Sequence, residues 1–447
     1  MRRQRKVLIL VLVALFLFAT FPGKGGLEGD QREIPLLSNR TDNWGFIFPF
    51  LIGQWPNLFG HWRFTFTLLQ LIAFWIGLWL LFRNRKLSLM LNRVFWVVVF
   101  VSSVFVSQLW RDSSLLALST FGFGLLTLAS QSAGMKRYIF GATSIFVLHV
   151  AALFKILYGP VLAILVLWIL YQIKLTKKGF VVSSVVLAIS LSIYPFFADK
   201  LISEKIHLKK VFPEQQPMIF DLASNYCWGQ SDGIIDDAQK GLQIVLKPGF
   251  PMPTVCASLH PNSWDNLHAS NRQWQYSSPI SRIVGNNQEK MNELRTSWIR
   301  MIVNNPVDWL QVRMMYLGST LILSNSFVPQ NDTNTWHGFF GEINKWSWVL
   351  FFSFASTLDK FRVTSPLFFL ILFTFLILRY SLGSQRMKDK FMEHNVDFVF
   401  AFLVLLATIS ITMFGFVASN GRYVFPYISL IYLFLLRSKI FLSPIQV

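Results

Sequence analysis

The chain has 447 residues, of which 53% are hydrophobic and only 14% are charged, and its mean hydropathy is +0.47. A soluble domain carries about 25% charged residues, so this composition excludes an ordinary soluble enzyme and predicts an all-α polytopic membrane protein. The formal net charge of +19 does not indicate nucleic-acid binding, because the basic residues cluster at alternate joints between apolar segments.

The chain opens with a basic head and an apolar run, MRRQRKVLILVLVALFLFATFPG. A secretory signal peptide has the same shape. No A-x-A-like cleavage site follows, however, and many further apolar runs come later. We therefore interpret this segment as an uncleaved first span whose head lies in the cytoplasm.

Apolar runs of membrane-crossing length recur along the chain and predict about ten transmembrane helices, at about 7–21, 64–82, 94–110, 113–132, 138–154, 160–174, 180–198, 366–382, 396–417 and 422–437. Lys and Arg mark the cytoplasmic side of membrane proteins. With the N-terminus inside, ten crossings place every basic cluster in the cytoplasm, at 1–6, 83–93, 136–137, 174–178, 379–390 and 437–439. The predicted location is the bacterial inner membrane, with both termini cytoplasmic.

This topology divides the chain into three parts: a membrane module of about seven spans at 1–198 with a first outer loop at 22–63, an extracytoplasmic segment with membrane-lying helices at 199–365, and C-terminal membrane helices at 366–447. Two stretches of the outer segment, 308–327 and 346–357, are apolar. Whether they lie on the membrane or cross it stays open, because two additional crossings preserve the orientation.

The two cysteines of the chain, Cys227 and Cys256, both fall in the outer segment. The compartment outside the inner membrane is oxidising, so a disulfide between them is predicted. Two unpaired thiols in a domain core are the alternative. Metal-binding spacings of Cys and His are absent, so the sequence does not predict a structural zinc site.

Isolated charged residues stand at the outer ends of the predicted spans. They are Arg111 and Asp112 in LWRDSS, Lys155 in ALFKILYGP, Arg422 in GRYVFP, and Asp30 in the first outer loop. Basic groups hold a phosphate through charge-assisted hydrogen bonds, and a carboxylate accepts a proton as a general base. Together they would suit an anionic, lipid-linked substrate. Taken singly, each also fits an interfacial ion pair, a helix-end anchor or an ordinary loop acid.

The order of these motifs resembles the GT-C superfamily of multi-spanning glycosyltransferases, and more narrowly bacterial GT-C-like membrane proteins of unassigned substrate. The matching elements run over nearly the whole chain: FPGKGGLEGDQ with Asp30, DNWGFIFPFLIGQW, LWRDSSLLAL with Arg111 and Asp112, ALFKILYGP with Lys155, QQPMIFDLASNY, WIRMIVNNPVDWLQVRMMY, and GRYVFP with Arg422 and Tyr423.

The resemblance implies an enzyme that transfers a hexosyl or pentosyl group from a polyprenyl-phosphate donor to a glycan, lipid or protein acceptor on the outer face. It assigns the general base to Asp30 and an orienting or assisting role to Asp112. It assigns binding of the carrier phosphate to Arg111, Lys155 and Arg422, and it places Tyr423 with them among the substrate-binding residues. The implied partners are this donor, its acceptor and membrane lipids, without nucleic acid. No cofactor is certain, and a divalent metal ion stays open because some members of the superfamily use one.

Two other functions remain open from the sequence. An O-antigen polymerase or ligase relies on Arg and His in late outer loops, and Arg313, His260 and His268 are candidates for such roles. A lipid-linked sugar transporter or flippase is less favoured, because proton-coupled transporters place ionisable groups in the middle of their spans, whereas these charges stand at span ends. The sequence leaves the sugar, the acceptor and the carrier undetermined.

Overall fold

A computed structural model describes residues 62–83, 89–106, 111–172, 177–205, 214–259, 287–322, 385–415 and 425–437, together with positions 212, 267, 278–281, 283 and 371. Within these ranges the protein is almost entirely helical and contains no strand. A single antiparallel bridge joins Leu246 to Ile280. The prediction of an all-α fold is confirmed for this part of the chain.

The helices fall into two groups along the chain. Helices α1 to α6, α12 and α13 build a bundle, and α7 to α11 build a smaller unit between α6 and α12. Their bounds are α1 Trp62–Phe82, α2 Leu89–Val106, α3 Arg111–Ser130, α4 Met135–Phe154, α5 Gly159–Gln172, α6 Lys177–Lys205, α7 Gln215–Trp228, α8 Asp232–Gln243, α9 Pro253–Ser258, α10 Gln288–Asn304, α11 Pro306–Ile322, α12 Gln385–Gly415 and α13 Phe425–Arg437. A 3₁₀ turn, Ile156–Tyr158, links α4 to α5.

The bundle has one continuous apolar core, to which α3, α5 and α13 contribute mostly buried residues. By length and composition, two helices in the described ranges could cross a membrane, Asp112–Ser130 and Met135–Phe154. The first is 78% buried inside the protein and the second only 39%. Six other apolar helical stretches in those ranges are shorter than 18 residues.

Side-chain contacts fix the direction of each helix against its neighbours. Helix α1 runs parallel to α3, because Gln70 accepts a hydrogen bond from Ser114 near the start of α3, and Arg83 donates to Gln131 just beyond the ends of both helices. The helix between them runs the opposite way. Phe95, early in α2, contacts the end of α1, and the Phe105 carbonyl near the end of α2 accepts a hydrogen bond from the start of α3.

The remaining contacts extend the same pattern. Helix α4 returns antiparallel to α3, since the Ser144 hydroxyl donates to the Gly122 carbonyl at 2.8 Å and the end of α4 meets the start of α3. Helix α13 runs parallel to α5, because their starts meet at Tyr158 and Tyr427 and their later turns meet at Phe434. Helices α1, α3, α5 and α13 therefore point one way, and α2 and α4 the other. These are the directions that the alternating basic clusters predict.

Glycines let α1 and α3 approach closely. A Cβ added at Gly77 would lie 2.5 Å from the backbone carbonyl of Thr120, and one added at Gly124 would lie 2.7 Å from the Gly77 carbonyl oxygen. Both obstacles are backbone atoms, which cannot rotate away. Small residues at such positions are typical of helix contacts in membrane proteins, where close backbone packing replaces a hydrophobic driving force.

Several helices differ in extent from the predicted spans, and α12 differs most at its start, which is Gln385 rather than 396. Helix α6 continues to Lys205, beyond the predicted end of its span at 198, because the polar sequence ADKLISEK contains no helix breaker. Helix α13 begins at Phe425 rather than at 422, and Pro426 occupies its first turn, where a missing backbone N–H costs nothing. The predicted spans at 7–21 and 366–382, and the apolar stretch at 346–357, lie outside the described residues apart from position 371.

The smaller helical unit has its own apolar core. Cys227 in α7 and Cys256 in α9 are joined by a disulfide with an S–S distance of 2.02 Å, as the sequence predicts. The buried Gln215 amide exchanges two hydrogen bonds with the Ile283 backbone, at 2.8 and 2.9 Å, and so fastens a non-helical segment to α7. Helix α11 contacts α12, which connects this unit to the bundle.

Candidate functional site

The start of α3 carries the predicted Arg–Asp pair. Ser113 donates to the Phe105 carbonyl at 2.7 Å, and Ser114 donates to the Gln70 side chain at 2.7 Å. These bonds fasten the first turn of α3 to α2 and α1. Asp112 lies in that first turn, where the positive end of the helix dipole stabilises a carboxylate.

Asp112 forms an ion pair with Lys155 across the bundle. The Lys155 Nζ and the Asp112 Oδ1 are 3.0 Å apart, and each side chain is only 6% exposed. Lys155 ends α4, and its carbonyl accepts the Tyr158 N–H at 2.9 Å. A lysine that merely anchors a helix at the lipid headgroups would be exposed at its tip, whereas this ammonium is enclosed by protein and paired with a carboxylate.

Two tyrosines lie beside this ion pair. The rings of Tyr158 and Tyr427 stack with centroids 4.5 Å apart, and the Tyr158 N–H donates to the Lys155 carbonyl at 2.9 Å. Two positions earlier, Phe425 packs against Phe105 with ring centroids 4.7 Å apart. The beginning of α13 is therefore held against the end of α2 and the Asp112–Lys155 pair.

Part of the predicted site lies outside the described residues. Asp30, Arg422 and Tyr423 belong to that part. Arg111 is the first residue of α3, and its side chain is not among those described. The structure thus brings together Asp112 and Lys155. The first turn of α13 lies beside these two residues. This helix begins at Phe425, three positions after Arg422 in the sequence.

Sequence reasoning missed three residues of this region, Gln70, Tyr158 and Tyr427. Gln70 had a usable signal, since it is the one strongly polar side chain in the run FTLLQLIAFW. Polar residues within membrane spans are costly and usually face the protein interior. The two tyrosines had no comparable signal, because tyrosine is common at membrane interfaces without any specific role.

A second buried ion pair lies in the smaller helical unit. The Arg313 Nε is 2.6 Å from Asp221 Oδ1, with side chains 2% and 0% exposed. The indole N–H groups of Trp298 and Trp309 donate to Asp221 Oδ2 at 2.9 and 3.2 Å. Each carboxylate oxygen therefore has a partner, and the cluster ties α7, α10 and α11 together. Arg313, a candidate for the polymerase alternative, is a core residue here.

A third buried acid lies at the opposite end of the bundle. The Trp168 indole donates to Asp397 Oδ1 at 2.5 Å, and the Gln172 amide donates to the same atom at 2.9 Å. The Gln172 carbonyl in turn accepts from Arg437 at 2.6 Å. This network joins α5, α12 and α13. Like the Asp221 cluster, it pairs its carboxylate with donors from the protein itself.

In the part of the chain that the structure describes, no group of three or more His, Cys, Asp or Glu side chains gathers where a metal ion could bind. His260 and His268, the other candidates for the polymerase alternative, lie outside that part.

No protein-family model matches the chain, and neither a curated protein nor a solved structure is significantly similar to it. The function must therefore be inferred from the chain's own residues and their geometry.

Proposed function

We propose that this protein is a GT-C-type membrane glycosyltransferase with about ten crossings in the bacterial inner membrane. It transfers a sugar from a polyprenyl-phosphate donor to an acceptor on the extracytoplasmic face. The observation that carries this proposal is the buried Asp112–Lys155 pair, 3.0 Å apart, at the end of the bundle where α13 begins just after Arg422.

The surface of the bundle supports a membrane location. Large apolar side chains point outward on helices at its periphery, among them Phe146 at 68%, Val182 at 65% and Phe197 at 63% exposed. Soluble proteins rarely expose contiguous apolar areas of this kind. Basic residues such as Arg83 and Arg437 lie at the opposite end from Asp112, which fits a cytoplasmic side rich in positive charge.

The proposed reaction needs a base and a set of cations. The acceptor hydroxyl oxygen attacks the anomeric carbon of the donor, the bond from that carbon to the phosphate oxygen breaks, and the hydroxyl proton passes to Asp30. The carrier phosphate leaves with more negative charge than it had in the ester. Fixed cations therefore stabilise the transition state more than the ground state.

Lys155 is the cation whose position can be argued from contacts. The Asp112 carboxylate lies 3.0 Å from the Lys155 ammonium and so holds this buried cation in one orientation. In this role Asp112 positions Lys155. Arg111, Arg422 and Tyr423 complete the proposed phosphate-binding set. The disulfide-linked unit α7 to α11, which follows the outward-running α6, is assigned to acceptor selection.

The polymerase or ligase alternative loses support from Arg313. That reading needs an arginine able to reach a substrate, and Arg313 is 2% exposed and paired with Asp221. No contact in the described ranges favours the alternative over glycosyl transfer from a polyprenyl phosphate.

The test is transfer of labelled sugar by the purified full-length protein in lipid nanodiscs. Synthetic polyprenyl-phosphate hexoses and pentoses serve as donors, and membranes of a strain lacking this protein supply acceptors. We expect the wild type to label an acceptor and Asp30→Asn to lower the rate by about 10²-fold or more, since general-base catalysis contributes about 10²–10⁴-fold. Asp236→Asn, the same change on the exposed face of α8, is the matched control and should be fully active.

Failure would take one of two forms. No transfer and no binding of any donor by the wild type would overturn the proposed function. Full activity of Asp30→Asn in an active preparation would instead leave glycosyl transfer standing and remove the first-loop base.

A further inference from the structure

Two buried polar groups near the Asp112–Lys155 pair lack a hydrogen-bond partner among the described residues. They are the amide nitrogen of Gln70 and the hydroxyl of Tyr427. Gln70 is 5% exposed and Tyr427 is 1% exposed. The amide oxygen of Gln70 already accepts the Ser114 hydroxyl, so its NH₂ is oriented as a donor.

Both groups lie in the same layer of the bundle. Helices α1 and α13 run in the same direction, and Arg437 Nε meets the Leu81 carbonyl at 3.4 Å where they end. Gln70 stands about 16 Å before that contact along α1, and Tyr427 about 15 Å before it along α13, at 1.5 Å per residue. The start of α3, which carries Asp112, contacts α1 through the Ser114–Gln70 hydrogen bond.

Unpaired buried polar groups are rare in folded proteins, because each has given up water without gaining a partner. The other buried acids show what a purely structural arrangement looks like here. Asp221 and Asp397 are surrounded by donors from the protein. The layer around Asp112 presents an amide donor and a phenol that no described group satisfies, whereas the unsatisfied neighbour of Asp221 is an acceptor, the amide oxygen of Asn225.

We propose that Gln70 and Tyr427 bind the hydroxyl groups of the sugar carried by the lipid-linked donor. This inference rests on the proposed function and deepens it. Both groups are neutral, and a phenol both donates and accepts, which suits a polyol. The adjacent cation Lys155 supplies the charge that a phosphate needs. The site thus divides between a cationic part for the carrier phosphate and a neutral part for the sugar.

The experiment compares two probes on the full-length protein in nanodiscs. One is a short-chain polyprenyl phosphate without sugar, and the other is the same lipid phosphate esterified to a hexose or a pentose. Tyr427→Phe should bind the sugar-bearing probe about tenfold more weakly, as expected for one lost hydrogen bond. It should bind the sugar-free probe like the wild type. The melting temperature of the ligand-free variant should stay level or rise, because an unpaired hydroxyl has been removed.

Controls separate binding from folding. Tyr432→Phe makes the same change further along α13 and should alter neither affinity. Gln70→Met removes the amide donor and also its bond to Ser114, so Ser114→Ala, which removes that bond and keeps the amide donor, is its matched partner. We expect Gln70→Met to bind the sugar-bearing probe more weakly than Ser114→Ala does.

Each other outcome has a definite meaning. If the variants bind both probes more weakly to the same extent, Gln70 and Tyr427 contact the phosphate and their assignment to the sugar is wrong. A lower melting temperature for Tyr427→Phe with both affinities intact would make the hydroxyl structural, which overturns the inference. If the wild type binds the sugar-free probe and the variants bind both probes as tightly as the wild type does, this inference is wrong and the proposed function stands. A wild type that binds neither probe would overturn the proposed function as well.

Discussion

Breaking the Asp112–Lys155 pair from one side should destabilise the protein strongly. In Lys155→Met the Asp112 carboxylate remains in a site where the side chain is only 6% exposed, and its partner is gone. Removing one member of a buried pair costs about 3–5 kcal/mol, chiefly because an uncompensated charge stays buried. We therefore expect Lys155→Met to lower the free energy of unfolding by about that amount.

Neutralising both partners should recover most of the loss. Asp112→Asn combined with Lys155→Met leaves no buried charge, and replacing a whole buried pair by neutral residues is often without net cost. If the double variant costs about 1 kcal/mol, the double-mutant cycle should give an interaction energy of at least about 2–4 kcal/mol. Reversible unfolding of the purified protein in mixed micelles measures all four forms.

Activity separates the two roles of the pair. The double variant should be folded yet slow in sugar transfer, because the fixed cation is missing. If Lys155→Met costs under about 1 kcal/mol, or if the two single effects simply add, the pair is not buried and coupled as described. If Arg111→Ala and Asp112→Asn lower stability while the folded fraction keeps its normal specific activity, the Arg111–Asp112 pair anchors the start of α3 and is not part of the site.

Three further predictions follow from the fold. Gly77→Ala should lower the unfolding free energy by about 1–3 kcal/mol through overpacking, whereas Gly141→Ala, with open space around it, should be neutral or stabilising; equal melting temperatures would contradict the close approach of α1 and α3. Cys227→Ser opens a loop with a sequence separation of 29 and should cost about 3–4 kcal/mol in the chain-entropy model; two free thiols in the unreduced wild-type protein would refute the bond. An impermeant maleimide on intact cells should label Lys240→Cys and spare Arg137→Cys, and the reverse pattern would invert the topology.

The helices of the bundle were largely predictable from the sequence, whereas α7 to α10 of the smaller unit were not. Apolar runs locate the bundle helices because a span needs a nearly unbroken apolar stretch. The orientation that the basic clusters predict stays a prediction. Ends were predicted less well. Helix α6 continues to Lys205, because hydropathy shows where an apolar stretch of sequence ends and not where its helix ends.

The contacts of the site were only partly predictable. Arg111 and Asp112 are adjacent in sequence, which favours an ion pair between them, yet Asp112 pairs with Lys155 because α4 returns antiparallel to α3. Such a partner, 43 positions away in the chain, is set by tertiary packing. The same holds for Asp221 and Arg313 in the smaller unit, whose pairing no local pattern indicates.

The three buried acids of the described structure also argue for where the function lies. A buried ion pair is seldom more stable than the apolar residues that could replace it, so its presence alone proves no role. Asp221 and Asp397 are held by indole and amide donors that fit a purely structural network. Asp112 differs, because its neighbours in the same layer include two groups able to donate, on Gln70 and Tyr427, that no described residue satisfies, whereas the unsatisfied neighbour of Asp221 is only an acceptor, the Asn225 amide oxygen. If this layer served only stability, apolar side chains in place of the polar ones would make the protein more stable. The retained polar groups favour a layer shaped for a ligand, at the end of the bundle where the sequence places its isolated cations.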